Sequence, residues 1–160
     1  MNRSHCSGLL AVAMSLLGLA GCGGNDPPAP AQPMQVNASA TSTVDGLTLQ
    51  ASTMDVANVN ETVAKRYAIE RGASGLMLMV TVRDASGNGV EPADLSLEAT
   101  AGALVDAPAP VPLLPITTNG MTDYIGVFRA SPPTTVRFRI TAIRNGARAE
   151  LSTTAELYPR

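Results

Sequence analysis

Two methionine side chains have the type and spacing to bind a soft metal ion. Met77 and Met79 are two residues apart in an alternating segment, so both lie on one face of a predicted strand. Thioether sulfur suits Cu(I). The alternative is that both methionines fill space beneath a short helix. We favour this alternative because the only histidine and both cysteines lie within residues 1–22 and cannot complete a site in the domain.

Three acidic residues near a glycine-rich turn could hold a hard cation through their oxygens. Asp84, Glu91 and Asp94 surround the turn that ends at Gly89. Their spacing matches no calcium-binding loop, and solvated carboxylates are common in turns. We therefore predict no metal site here.

Catalysis has little support among the residue types. A nucleophile and its base would have to come from Ser, Thr, Lys, Asp, Glu and Tyr. The one arrangement that these residue types allow is a Ser/Lys pair using Lys65, the only lysine. We predict that the chain is not an enzyme and needs no cofactor. An enzyme of unknown type is the third alternative for its function.

The sequence that precedes Cys22 is the most specific motif of the chain. An apolar run begins at Leu9 and closes with Leu-Ala-Gly-Cys at residues 19–22. This arrangement resembles the lipobox of bacterial lipoproteins, in which a signal peptidase cuts before a diacylated cysteine. The resemblance implies that residues 1–21 are a lipoprotein signal peptide, that the cut falls between Gly21 and Cys22, and that Cys22 carries the lipid. The alternatives are an ordinary secretory signal with a chance cysteine, or a buried helix.

Such a lipid would anchor the chain to a membrane that the chain itself does not cross. A diacylglycerol and an N-acyl chain exceed the two signals that stable anchoring needs. The apolar run is shorter than the roughly 20 residues of a membrane span. In Gram-negative lipoproteins, Asp after the cysteine typically retains the protein in the inner membrane, and here that residue is Gly23. For a Gram-negative host we therefore expect the inner leaflet of the outer membrane, with the protein facing the periplasm.

Composition constrains the remaining chain. Residues 22–44 are rich in Pro, Ala, Ser and Thr without hydrophobic periodicity, which predicts a flexible lipidated tether. Residues 45–160 have the length of one domain. The chain has 11 basic and 13 acidic residues and a net charge of −2, so nothing favours nucleic acid as a partner. Because Cys6 lies in the signal, no disulfide is predicted in the domain.

Most of the domain alternates with period two, the pattern of half-buried strands. Strands are predicted at residues 46–53, 76–82, 95–100 and 123–130, and along a final hairpin. Closely spaced prolines make residues 106–118 a loop or a sheet edge. About seven short antiparallel strands predict an all-β fold, specifically an immunoglobulin-like β-sandwich.

The final hairpin is the best-specified element. Asn145-Gly146 is a two-residue turn of the kind that favours positive φ. Pairing Arg144 with Ala147 places apolar residues opposite each other along one face. The same register places Arg139 diagonal to Glu150 on the other face, within reach of an ion pair.

One segment departs from the β pattern and predicts a short helix near residues 60–69. Asn58 and Glu61 approximate a capping box, and Val63 and Tyr67 share one helical face. The segment resembles domain-of-unknown-function family 4426, a family of small exported bacterial proteins with a Val-Ala-Lys-x-Tyr-Gly-Ile-x-Arg motif. The residues that match this motif are Val63, Ala64, Lys65, Tyr67, Ile69 and Arg71.

The resemblance covers most of residues 46–159 and implies export, but it carries no established activity. It departs from the family at Ala68, where the family has glycine, and this affects how the helix ends. Lys65, Tyr67 and Arg71 could form a docking patch for an envelope protein partner. The alternative, which we favour, is that Tyr67 packs at the open end of the sandwich while Lys65 pairs with Glu61 at i, i+4.

These features favour a lipid-anchored envelope protein that acts as a non-catalytic binding or structural module. The alternative from another class is a periplasmic protein that handles copper through methionines. Binding of Cu(I) by the domain would separate the two.

Overall fold

The alternating segments of the sequence form strands in the computed structural model, which describes residues 39–160. The strands are β1 (Ala40–Val44), β2 (Leu47–Asp55), β3 (Gly75–Arg83), β4 (Leu95–Ala103), β5 (Ala109–Pro110), β6 (Leu114–Thr118), β7 (Met121–Arg129), β8 (Thr134–Arg144) and β9 (Ala147–Leu157). A 3₁₀ turn at Val56–Asn58 and one helix, α1 (Glu61–Arg66), separate β2 from β3.

Two antiparallel sheets pack face to face, which confirms the predicted all-β sandwich. One sheet has the order β1-β2-β3-β7-β6 and the other β5-β4-β8-β9. The described residues contain nine strands instead of about seven. One of the additional strands, β1, overlaps the last five residues of the segment 22–44 that was assigned to the tether. Its small Ala, Ser and Thr side chains carry too weak a hydrophobic alternation to be recognised as a strand.

The core lies between the two sheets. Its inward side chains are fully or almost fully buried: Leu49, Leu76, Leu78, Val80, Val82, Val136, Phe138 and Ile140. Phe138 meets Phe128 of the opposite sheet edge to face, with ring centroids 6.2 Å apart. This contact joins the two sheets through a favourable aromatic geometry.

The proline-rich segment crosses from one sheet to the other. It contributes β5 at the edge of the four-stranded sheet and β6 at the edge of the five-stranded sheet. Between them, Val111 enters the core, and its amide donates to the carbonyl of Ala99 at 2.8 Å. The prediction of a loop or sheet edge at residues 106–118 is confirmed, because proline lacks the amide that an inner strand requires.

The final hairpin has the predicted register along its whole length, from Arg144 opposite Ala147 to Phe138 opposite Thr153. The register also places Arg139 diagonal to Glu150, as predicted, but Glu150 has a different partner. The carboxylate of Glu150 accepts a hydrogen bond from Arg148 at 2.6 Å and makes no ion pair with Arg139 among the described residues. Arg148 reaches Glu150 because it lies two residues away on the same face of β9.

The turn of this hairpin gives the first testable prediction. Gly146 has φ +80°, so Gly146→Val should strain the turn and lower the free energy of unfolding by about 1 kcal/mol or more. Urea midpoints of the purified variants measure the loss. Ala147→Val is the matched control, since the next residue is an exposed strand position where valine is favourable. Equal stability of Gly146→Val and the wild type would contradict the turn geometry.

Candidate functional site

Helix α1 covers the outer face of the five-stranded sheet. Met77 and Met79 alternate with the core residues of β3, so their side chains point away from the core and towards the helix. They join a second apolar cluster, whose buried members are Val56, Val59, Ala64, Met77 and Ile125, with Val63, Tyr67, Ile69, Met79, Ile116 and Val127 around them. The predicted role of these methionines beneath the helix is confirmed. Tyr67 packs on this outer face and not at the open end of the sandwich, because the outward methionines supply an apolar surface there.

The helix begins two residues later than its sequence suggested. The N-cap is Asn60, whose side-chain oxygen accepts the amide of Thr62 at 2.8 Å. The predicted capping residue, Asn58, instead ends the 3₁₀ turn. An asparagine at either position satisfies the residue preference of a cap, so only the course of the backbone distinguishes them.

The helix ends through a left-handed residue. Ala68 has φ +53°, and the amide of Ile69 donates to the carbonyl of Ala64 at 2.8 Å. This is the Schellman arrangement, in which the left-handed residue is usually glycine. With alanine at residue 68 the helix still ends in this way, but a residue with a Cβ must adopt the unfavourable left-handed backbone conformation.

A stabilising substitution follows from this geometry. Ala68→Gly should raise the free energy of unfolding by up to about 1 kcal/mol, because glycine adopts positive φ without steric cost. Ala73→Gly, at a residue without positive φ in the same connection, should be neutral or destabilising. Thermal or urea unfolding of both variants is the measurement. A loss of stability in Ala68→Gly would contradict the backbone strain inferred at Ala68.

The polar residues of the motif contact their own segment. Lys65 Nζ lies 2.7 Å from Glu61 Oε1, the predicted i, i+4 pair, with both side chains mostly exposed. The guanidinium of Arg71 donates to the carbonyl of Ala57 at 3.3 Å. Lys65 and Arg71 thus contact the connection between β2 and β3, whereas Tyr67 packs into the second apolar cluster. Their role as a docking patch stays a prediction.

A third methionine, missed in the sequence, lies next to the pair. Met54 of β2 is directly opposite Met77 of β3 and is 38% exposed. The strand alternation that places Leu49 and Ala51 inward also places Met54 outward, so the signal was present. Met54, Met77 and Met79 therefore share the outer face of one sheet, although Met77 is buried.

Two of the three turn acids, Asp84 and Asp94, make separate structural contacts, and Glu91 is exposed. Asp84 Oδ1 accepts the amides of Ser86 and Asn88 at 2.8 and 2.9 Å, and the bond from Asn88 is the main reason that the pKa of Asp84 lies below its ordinary value. Asp94 accepts from Arg144 at 3.1 Å, which lowers the pKa of Asp94. Within residues 39–160, no three His, Cys, Asp or Glu side chains are grouped to hold a metal.

Two arginines lie on the outer face of the four-stranded sheet, beside a loop that the sequence did not place. Arg137 and Arg139 of β8 are exposed, and neither makes an ion pair or hydrogen bond within the described part of the chain. They line a hollow beside the loop that follows β4. Its other lining residues are Thr100, Gly102, Ala103, Leu104, Asp106 and Pro108. Alternation alone places both arginines on this face, but the adjacent loop could not be placed from sequence.

The domain is a two-sheet β protein with one short helix packed on an outer face. The chain belongs to the family described as "Domain of unknown function (DUF4426)", which matches residues 26–160. No curated protein matches the chain significantly.

Solved structures share this fold. A DUF4426 family protein from Pseudomonas aeruginosa PAO1 is similar with a TM-score of 0.61 and 17% identity, over 76% of this chain and 96% of that one. FetP from uropathogenic Escherichia coli strain F11, as isolated, is similar with a TM-score of 0.52 and 9% identity, over 79% of this chain and 98% of that one. A copper-bound variant of FetP is similar with a TM-score of 0.50 and 8% identity, over 73% and 93%.

The membrane-related residues predicted from the sequence are Gly21 and Cys22, and both lie outside the described residues. Between residues 39 and 160, no helix has the length and apolar character needed to span a bilayer.

Proposed function

We propose that this chain is a lipid-anchored envelope protein whose β-sandwich faces the periplasm as a non-catalytic binding module. The observation that carries the proposal is the Leu-Ala-Gly-Cys sequence at residues 19–22, at the end of a short apolar run. Gly23 after the cysteine favours the inner leaflet of the outer membrane. A diacylglycerol and an N-acyl chain on Cys22 would hold the protein there stably.

The geometry of the domain supports the non-catalytic part of this proposal. The carboxylates with a lowered pKa, Asp84 and Asp94, are engaged in a turn and in an ion pair. Lys65, the only available partner for a Ser/Lys pair, is paired with Glu61 on the surface. Charged groups in such exposed contacts lack the desolvated surroundings that activate a nucleophile or a base.

The anchor is tested by substituting the lipid acceptor. Cys22→Ala should abolish incorporation of labelled palmitate and block the lipoprotein-specific cut, since no other residue can accept the diacylglycerol. Labelling and the size of the chain are followed in growing cells. Cys6→Ala is the matched control, because Cys6 would be removed with the signal peptide and should not affect labelling. Undiminished labelling of Cys22→Ala would refute the anchor.

The binding role is tested by capture from native envelope. We expect the wild-type chain to retain an envelope protein after crosslinking. If the family motif provides the contact, Lys65→Ala should lose that protein while unfolding normally, because an exposed ion pair contributes well under about 1 kcal/mol. Retention by Lys65→Ala would place the contact elsewhere on the domain. A wild-type chain that retains no partner would contradict the binding module.

A copper-handling role is the second candidate. Met54, Met77 and Met79 share one sheet face, and a copper-bound variant of FetP has a similar fold. Thioethers are suitable ligands for Cu(I), whereas ordinary packing explains the buried Met77 equally well.

A competition titration with a Cu(I) chelator distinguishes these alternatives. Stoichiometric binding that is lost in Met54→Leu and Met79→Leu would favour copper handling. Met121→Leu is the control, since Met121 at the start of β7 is an exposed methionine that is not part of this group. Absence of Cu(I) binding would remove this candidate.

A further inference from the structure

The loop after β4 exposes two adjacent aliphatic side chains to solvent. Val105 is 95% exposed and Leu104 is 60% exposed, although both are apolar. Two backbone hydrogen bonds hold the loop in place. The amide of Leu104 donates to the carbonyl of Thr135, and the amide of Asp106 donates to the carbonyl of Ala103. A fixed loop that presents aliphatic residues is typical of a contact surface.

Positive charge lies directly beside this loop. The unpaired Arg137 and Arg139 line the hollow together with the loop residues. Asp106 is the acidic residue of this hollow, and Arg139 also lines a neighbouring hollow that contains Glu98, Arg148 and Glu150. Arginine binds phosphate oxygens through a fork of N–H donors. The surface therefore combines apolar residues with groups that recognise phosphate.

This loop lies at the end of the sandwich where β4 ends and β8 begins. Ala103, before the loop, is opposite Val136 near the start of β8, and Arg160 after β9 reaches Asp55 at the end of β2 at 2.5 Å. Strand β1 begins at Ala40, opposite Ala51 at the middle of β2.

We propose that Leu104, Val105, Arg137 and Arg139 form a docking surface for an anionic lipid bilayer. The proposal rests on the lipid anchor of the proposed function. The two aliphatic side chains would enter the headgroup region, and the two guanidinium groups would bind lipid phosphates. Residues 23–38 can span at most roughly 50 Å, so an anchored domain stays close to the membrane and even a weak surface affinity orients it.

The test uses the processed, lipidated chain reconstituted into vesicles. Cleavage of the signal peptide removes Cys6 and the lipid blocks the thiol of Cys22, so Val105→Cys introduces a single free thiol for an environment-sensitive nitrobenzoxadiazole dye. We expect a blue shift and a several-fold gain in emission in vesicles that contain phosphatidylglycerol. Ser86→Cys, labelled in the exposed turn after β3, is the control and should keep the emission of a dye in water.

The arginines are tested in the labelled Val105→Cys chain. Arg137→Gln with Arg139→Gln should lower the ratio of docked to undocked protein by about 30-fold, since each basic residue at an anionic surface contributes about 5.4-fold. Arg148→Gln should change this ratio little, because Arg148 is already paired with Glu150 and lies near the start of β9, far from the loop after β4. Added salt should weaken docking of the wild-type sequence and leave the double variant almost unchanged.

The outcomes separate this proposal from the anchor. If the labelled chain sediments with the vesicles while the dye at residue 105 stays in water, the anchor stands and the docking surface is overturned. An equal shift in neutral phosphatidylcholine vesicles overturns recognition of anionic lipid. A shift that follows protein concentration instead of lipid charge identifies a second copy as the occupant and also overturns it. A chain that does not sediment contradicts the anchor and the docking that rests on it.

Discussion

Replacing Phe138 with alanine is expected to lower the free energy of unfolding by about 3–5 kcal/mol. The ring is completely buried between the sheets and meets Phe128 edge to face. It also lies on β8, which has β4 on one side and β9 on the other, so the surrounding backbone cannot easily close the cavity. Lost burial, a residual cavity and a lost aromatic contact all act in the same direction.

Urea unfolding of Phe138→Ala measures this loss through the shift of the midpoint at constant slope. Ile143→Ala on the same strand is the matched control, because Ile143 is 40% exposed and its truncation should cost well under half as much. If Phe138→Ala lost less than about 1 kcal/mol, the core between the two sheets would be wrongly described.

Adding one methyl group at Gly126 is expected to destabilise the domain by about 1–3 kcal/mol. A Cβ at this residue of β7 would lie 2.7 Å from Val111 Cγ1 and 2.9 Å from the carbonyl oxygen of Pro112. These atoms belong to the segment that crosses between the sheets, and Val111 is held there by its bond to Ala99. Relief of the clash would have to move this backbone or β7.

The measurement is the midpoint of urea unfolding for Gly126→Ala. Gly72→Ala is the control, because a Cβ at Gly72 meets nothing within 4 Å and its φ is not positive. The control should be neutral or slightly stabilising. A Gly126→Ala chain as stable as the control would mean that the crossing segment does not approach β7 so closely.

The final hairpin could be predicted from sequence because both of its faces carry information. Apolar residues must face the core and polar residues must face solvent, so a shift by one residue would violate both conditions. The turn adds a local signal, since Asn145-Gly146 adopts the positive φ values that such a pair favours. Two independent signals agreed on one register there.

Two other turns carried the same signal and were not recognised. Asp45-Gly46 connects β1 with β2, and Asn119-Gly120 connects β6 with β7, with positive φ at all four residues. One strand of each pair, β1 or β6, is only five residues long and rich in Ser, Thr or Pro, so the strand pattern that normally supports a hairpin prediction is weak. The turn chemistry alone was sufficient to predict both hairpins.

The candidate surfaces differ in how far they could be predicted from sequence, because some are local and others require the folded chain. The i, i+4 pair of Lys65 and Glu61 is local and was predicted. The position of α1 on the outer face of a sheet could not be derived, because an apolar helix face does not specify which apolar surface it will cover. The neighbourhood of Arg137 and the loop at Val105 joins residues far apart in sequence, and only the folded chain brings them together.

The mass of the N-terminal peptide is the most direct test of the lipid-anchored function. The protein is extracted from membranes with detergent, digested, and its first peptide identified by mass spectrometry. We expect a chain that begins at Cys22 and carries a diacylglycerol and an N-linked acyl chain. A first residue other than Cys22, or an unmodified Cys22, would contradict the lipid anchor.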